Sequence, residues 1–237
     1  MRILILYDNV AHPPLRGGWG FSGLVEAGER RILFDTGADR LLLAHNARVL
    51  GVDLAQVTDV FLSHAHCDHV GGLSYVLERA EGVRVWAPKG MARYLRPRTP
   101  DAELRIVDGP CELGTGLVST GTLGRSVREQ GLIVLTSHGM VLVTGCAHPG
   151  VERMAERAFE LTGASLHLVL GGFHLGGAPS HQIRRVVAQL GQIAHRVGPG
   201  HCTGEEATGA LLVRFPGSEA LAVGKEVRVS ESRGGDR

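Results

Sequence analysis

Apolar residues along this chain of 237 residues fall into short runs, broken by glycine and polar pairs, that switch between strand and helix periodicity. Residues 2–7 (Arg-Ile-Leu-Ile-Leu-Tyr) read as a first strand, and residues 20–26 and 31–34 as two more, reversed at Gly28-Glu29 in a hairpin. Leu41, Leu42, Ala44, Ala47 and Leu50 recur at helical spacing, which predicts a helix over 39–50 that Gly51 stops. A strand is expected over 59–63, a helix over 71–80 and a strand over 83–86. Residues 132–136 and 141–144 alternate around a turn with His138 at its tip. A helix over 151–161, a strand over 165–170 and a helix over about 180–196 complete the pattern. With no Pro/Ser-rich linker and no break in composition, the economical reading is one domain over 1–230 with two similar halves and a loose polar tail over 231–237.

The expected strand 59–63 leads into His64-Ala65-His66-Cys67-Asp68-His69, followed by Val70 and a glycine pair. Imidazoles at i and i+2 of an extended segment can converge on one cation, while the carboxylate and imidazole of the next two positions turn toward a second. Three of the chain's 12 histidines in six residues, beside a carboxylate, outweigh the ordinary reading of histidines as turn and surface residues. Later histidines repeat the placement at strand ends, in Gly145-Cys146-Ala147-His148, Gly171-Gly172-Phe173-His174 and Gly200-His201-Cys202. An αβ scaffold holds ligands rigidly at such positions while loops admit a substrate.

Charge narrows the partners. Lys plus Arg number 25 against 24 Asp plus Glu, so no global field points to nucleic acid or an acidic membrane surface, and an anionic partner has to be bound locally. Residues 88–98 read as a short helix or loop carrying Lys89, Arg93, Arg96 and Arg98; such runs are mostly just solvated, but this one offers a place for an anionic group. The first apolar run is too short for a secretory signal and none reaches membrane-spanning length, so a soluble, cytoplasmic protein is expected. The four cysteines read as thiols in a reducing compartment, with Cys67 and Cys202 as small buried residues.

His64-x-His66-x-Asp68-His69 after a hydrophobic strand, with Asp35-Thr36-Gly37, Thr144-Gly145 and Gly200-His201 at other strand ends, resembles the metallo-β-lactamase superfamily over residues 2 to about 225. The resemblance implies an α/β (α+β) four-layer αββα sandwich with a binuclear metal site on its edge. It implies His64 and His66 as ligands of a first metal, Asp68, His69 and His201 of a second, and Asp35 as an acceptor supporting the histidine loop. Two departures stand out. The family's usual third histidine for the first metal would have to be His138, so His148 is the candidate instead. Its bridging aspartate is replaced by Cys146, which either takes the carboxylate's place or is an inert packing residue.

The later histidine and cysteine motifs are similar to one branch, named after an archaeal dihydropterin-methyl-ribofuranosyl-aminobenzene-phosphate synthase. The leading expectation is a hydrolase with two divalent metal ions, zinc by donor type with iron or manganese also fitting, acting on a small anionic ester. Asp68 would orient the attacking water. His174 is a proton donor or substrate contact, or else a core histidine or a further ligand. The alternatives are a transferase condensing a dihydropterin-methyl diphosphate with an aminobenzene ribose phosphate, and a non-catalytic metal-binding or sensing module. Oligomeric state is left open.

Overall fold

A computed structural model describes residues 1–229; the tail expected over 231–237 lies outside the described residues. The first sheet uses β1 (Arg2–Tyr7), β2 (Ser22–Ala27), β3 (Arg30–Phe34), β4 (Asp59–Phe61), β5 (Arg84–Pro88) and β6 (Glu103–Val107). The second uses β7 (Cys111–Gly114), β8 (Leu117–Ser119), β9 (Leu132–Thr136), β10 (Gly139–Thr144), β11 (Leu166–Gly172) and β12 (Ala194–Gly200). A late strand, β13 (Glu226–Arg228), returns to pair with β1. The sheet orders are β13-β1-β2-β3-β4-β5-β6 and β12-β11-β10-β9-β8-β7. In both, the later strands run parallel, β3 to β6 in one and β10 to β12 in the other.

Alternation along each strand sorts side chains into three apolar layers. Ile3, Ile5, Ile32, Phe34 and Phe61 of the first sheet face Leu132, Val134, Val141, Val143 and Leu170 of the second. The intervening residues Leu4, Leu6, Leu33 and Val60 turn outward against α1 (Arg40–Val49) and α3 (Leu73–Leu77). On the far side, Ile133, Leu142 and Val169 meet α5 (Val151–Thr162), α6 (Ser180–Ile193) and α7 (Glu205–Arg214). The result is the αββα sandwich. Because both faces of each sheet are buried, the strands read as continuous apolar runs rather than polar-apolar alternation.

Some boundaries differ from expectation. The helix expected over 71–80 is only α3, and a separate helical turn, α2 (Cys67–Val70), precedes it, so the metal-type residues Asp68 and His69 ride on a helical turn. Residues 88–98 hold only α4 (Ala92–Leu95) and a 3₁₀ turn. The helix expected to reach 196 stops at Ile193, because β12 begins at the next residue and pairs with β11. Cys67 is exposed, contrary to the expectation of a small buried residue, since the first turn of α2 points it outward.

Asp59 pins the end of β4 opposite the histidines. Its carboxylate accepts from Trp86 Nε1 at 2.8 Å and Thr58 Oγ1 at 2.7 Å and pairs with Arg30 and Arg84, both at 2.8 Å. Desolvation alone would raise its pKa, but the hydrogen bonds from Trp86, Thr58 and Arg84 and the charge of Arg30 hold it below the usual carboxylate range. A depressed folded-state pKa stabilises the fold above the unfolded value and is lost as pH falls through the folded one. Asp59→Asn is therefore expected to cost about 2 kcal/mol at neutral pH, with the difference shrinking in acid below the normal carboxylate range. Urea unfolding of both proteins at pH 7 and in acid checks this; equal stability at pH 7 would refute it.

Candidate metal centre

Every site segment leaves the C-terminal end of a strand. Asp8 and Asn9 follow β1, Asp35 follows β3, Ser63 and His64 follow β4, Cys146 and His148 follow β10, His174 follows β11 and His201 follows β12. Among the described residues, the non-glycine residues with positive φ are Asp35 (52°), Ala147 (57°), His174 (51°) and His201 (47°), all in these turns. Such conformations cost on the order of 1 kcal/mol or more each and persist where the surroundings fix them. At Gly145 a Cβ would lie 2.1 Å from Ser63 Oγ, so only glycine lets the end of β10 close onto the histidine loop.

Asp35 is the hub of the first sheet's half. Its Oδ1 accepts from Ser63 N at 2.7 Å, and its Oδ2 accepts from Ser63 Oγ at 2.6 Å and His69 Nδ1 at 2.7 Å. The Ser63 hydroxyl, having donated to Asp35, accepts from His64 Nδ1 at 2.9 Å. Both imidazoles are thus held with Nε2 facing inward, toward the other donors. On the other side, Asn9 Oδ1 takes His201 Nδ1 at 3.1 Å and Asn9 Nδ2 donates to His201 O at 2.9 Å, which again leaves Nε2 free. Asp8 Oδ2 accepts from His201 N at 3.1 Å, and burial raises the Asp8 carboxyl to about 6.

These side chains meet in donor groups whose atoms all lie within 4.8 Å of one another. One is Asp68, His69, Cys146 and His201; a second is His64, Cys146 and His148; a third is Cys146, His174 and Cys202. His66 stands beside the second, its Nδ1 at 3.1 Å from His64 Nε2 and its ring 4.8 Å from that of His148. Cys146 Sγ lies 3.2 Å from His69 Nε2, and Asp68 Oδ2 lies 3.3 Å from His201 Nε2. All the expected ligands therefore converge, with Cys146 common to every group, while His138 sits in the β9–β10 turn beside His167 at the far end of the strands.

The electrostatics are those of crowded donors. Burial, then the neighbouring imidazoles, depress His64 strongly, and burial with His174 and His66 lowers His148 to about 4. Burial would also lower His69, but Asp35 more than compensates and raises it. Burial works to raise Asp68, yet His201 and His69 bring it down to about 2. The Cys202 thiol and burial hold the Cys146 proton on, whereas Cys202, beside Cys146 and His174, gives up its proton more easily. A cation bound at Cys146 Sγ would reverse that order for Cys146, because a coordinating thiol is deprotonated.

The donor set fits divalent metal. His148 Nε2 and His201 Nε2 are buried without a hydrogen-bond partner, and such atoms are costly to bury unless something binds them.

Residues absent from the sequence-level candidates complete the frame. Buried Glu129 accepts from Cys146 N at 2.9 Å, Ala147 N at 2.8 Å and His148 N at 2.8 Å, and so holds the turn that carries two donors. Gln130 Nε2 donates to Leu62 O at 2.9 Å, just before the histidine loop. Trp19 is an exposed indole whose ring lies 4.8 Å from that of His201, at the mouth of a cavity of about 380 Å³. The polar pair Asp8-Asn9 at the end of the first strand was a readable signal; Glu129 had none.

A four-layer αββα sandwich with a histidine-rich donor cluster at the strand ends defines a metal-binding type of fold, and the chain belongs to the metallo-beta-lactamase superfamily, whose model matches residues 16–167. Among solved structures it is similar to Tm1679, described as a metal-dependent hydrolase of the beta-lactamase superfamily, at 29% identity and a TM-score of 0.83, covering 98% of this chain and 100% of that one. Two Methanocaldococcus jannaschii proteins are also similar. An uncharacterized one is 28% identical, covering 86% of this chain and 91% of that protein. The other is the 7,8-dihydropterin-6-methyl-4-(beta-D-ribofuranosyl)-aminobenzene-5'-phosphate synthase, 25% identical over 96% of both. Among the described residues no helix is long and apolar enough to cross a membrane.

Proposed function

We propose that the chain is a hydrolase of small anionic esters, phosphoesters foremost, that works with two divalent cations, zinc by donor type. The observation that carries this reading is the pair of donor groups joined at Cys146, with the bare Nε2 atoms of His148 and His201 aimed into them. His64, His66 and His148 would hold one cation and Asp68, His69 and His201 the other, with Cys146 between them. Bound there, two cations supply a water of lowered pKa and polarise the oxygen under attack.

The chain's own groups do the rest. Asp35 and Asn9 fix the ring orientations. Asp68 offers a carboxylate edge to orient the nucleophile. His174, exposed at the rim with its pKa raised by the Cys202 thiol, is placed to pass a proton to a leaving group.

Elemental analysis of purified protein and of the double variant His148→Ala/His201→Ala tests the ligand assignment. Two metals per chain should fall to one or none in the variant; an unchanged two-metal stoichiometry overturns it.

The relative named as a synthase, alike over nearly its whole length, favours a second reading. In it the same centre neutralises a departing diphosphate while an arylamine attacks. Product analysis with a dihydropterin-methyl diphosphate and an aminobenzene ribose phosphate separates the two. A carbon–nitrogen adduct sinks the hydrolase, and attack by water alone sinks the transferase.

A further inference from the structure

A cavity of about 470 Å³ opens beside His148, separate from the Trp19 cavity that borders His201, and is lined by Arg125, Ser126, Pro149 and Arg153 as well as His148. Arg125 rides on a tight loop closed by Leu123 and Glu129, which exchange backbone hydrogen bonds at 2.8 and 2.9 Å. Gly124 seats that loop against Pro149, since a Cβ there would stand 3.4 Å from Pro149 Cγ and 2.3 Å from Val127 O. The same Glu129 grips the backbone of His148, so loop and donor turn are one rigid piece. Arg153 enters from the first turn of α5.

Neither guanidinium is in an ion pair or hydrogen bond among the described residues. Two cations of the basic run are already engaged: Lys89 pairs with Asp108 at 2.6 Å, and Arg98 lies 4.0 Å over the Tyr94 ring. The basic run of the sequence is therefore partly spent, and what sets Arg125 and Arg153 apart from the other unpaired arginines is that they line one cavity with a metal-type donor, His148. The Glu152 carboxylate, next in the chain to Arg153, lies against Gly150 and is in no ion pair with either arginine. Two uncompensated, planar guanidinium forks lining one cavity match the several hydrogen-bond-accepting oxygens of a phosphate.

We propose that Arg125 and Arg153 form a subsite for a second phosphate of the substrate, one outside the bond being broken. The inference rests on the donor cluster being the reacting centre. It makes the preferred substrate a phosphorylated ester, entering with its peripheral phosphate on the His148 side and the rest of the molecule toward Trp19.

Two probes with the same scissile bond test it: thymidine 5′-(4-nitrophenyl phosphate) and its 3′-phosphate. Binding is read separately by calorimetry, on the metal-loaded protein, with thymidine 5′-monophosphate and thymidine 3′,5′-bisphosphate. The extra phosphate is expected to lower KM and Kd by roughly tenfold or more, an advantage that shrinks at high salt. In Arg125→Gln/Arg153→Gln that ratio should collapse toward one, and Arg125→Lys/Arg153→Lys should recover part of it. Equal ratios in wild type and the glutamine variant, or a wild-type ratio of one, overturn the subsite even if both esters turn over. Arginine-dependent binding without turnover of either ester keeps the subsite and overturns the hydrolase.

Discussion

Glu129→Ala is expected to remove most of the metal-binding capacity and about 3–5 kcal/mol of stability, a loss set by what the carboxylate leaves behind. The side chain is fully buried, and its oxygens are the hydrogen-bond acceptors for the N–H groups of Cys146, Ala147 and His148. Burial raises its pKa and those three N–H groups pull the other way, so the charge is tolerated only because the turn wraps it. With alanine, three donors lose their partner in a dry interior, and Ala147 loses the support for its positive φ. Urea unfolding and metal content check the result. Glu129→Gln keeps one acceptor oxygen and should fall between; an alanine variant within about 1 kcal/mol of wild type would show that the turn holds itself.

Cys146→Ala should produce the largest functional loss, on the order of 10³ in turnover together with at least one metal, because it deletes the only donor common to every group. In cobalt-loaded protein, the sulfur-to-metal absorption should vanish in Cys146→Ala and survive in Cys202→Ser, which identifies the sulfur. Cys146→Asp restores the carboxylate that commoner members carry and should regain both metals. An alanine variant that still holds two metals with undiminished affinity would return Cys146 to the status of a packing residue.

What the sequence disclosed was whatever is local. The run from His64 to His69 advertises itself because its donors are neighbours in the chain, and Asp35, Cys146, His148 and His201 are legible because each ends an apolar strand. Glu129 is silent, since its role exists only once the loop at 123–129 lies across the end of β10. The strands β6 to β8 are faint in the sequence for a related reason: β6 is an edge strand, mostly exposed, whose charged positions blur the apolar signal. β12 was masked because it follows α6 without a breaker, and only pairing with β11 distinguishes Ala194, His195 and Arg196 from another helical turn.

The division of donors between the sheets has a mechanical meaning. His64, His66, Asp68 and His69 belong to the end of the first sheet, whereas Cys146, His148 and His201 belong to the second, and the two are otherwise joined mainly through the apolar layer between them. A cation seated in such a cluster acts as a cross-link between distant stretches of chain. It closes long loops that thermal opening would otherwise release, at a closure cost that grows only slowly with their length. Energy that held a cation in the cluster would then also be energy that clamps the sandwich shut at that rim.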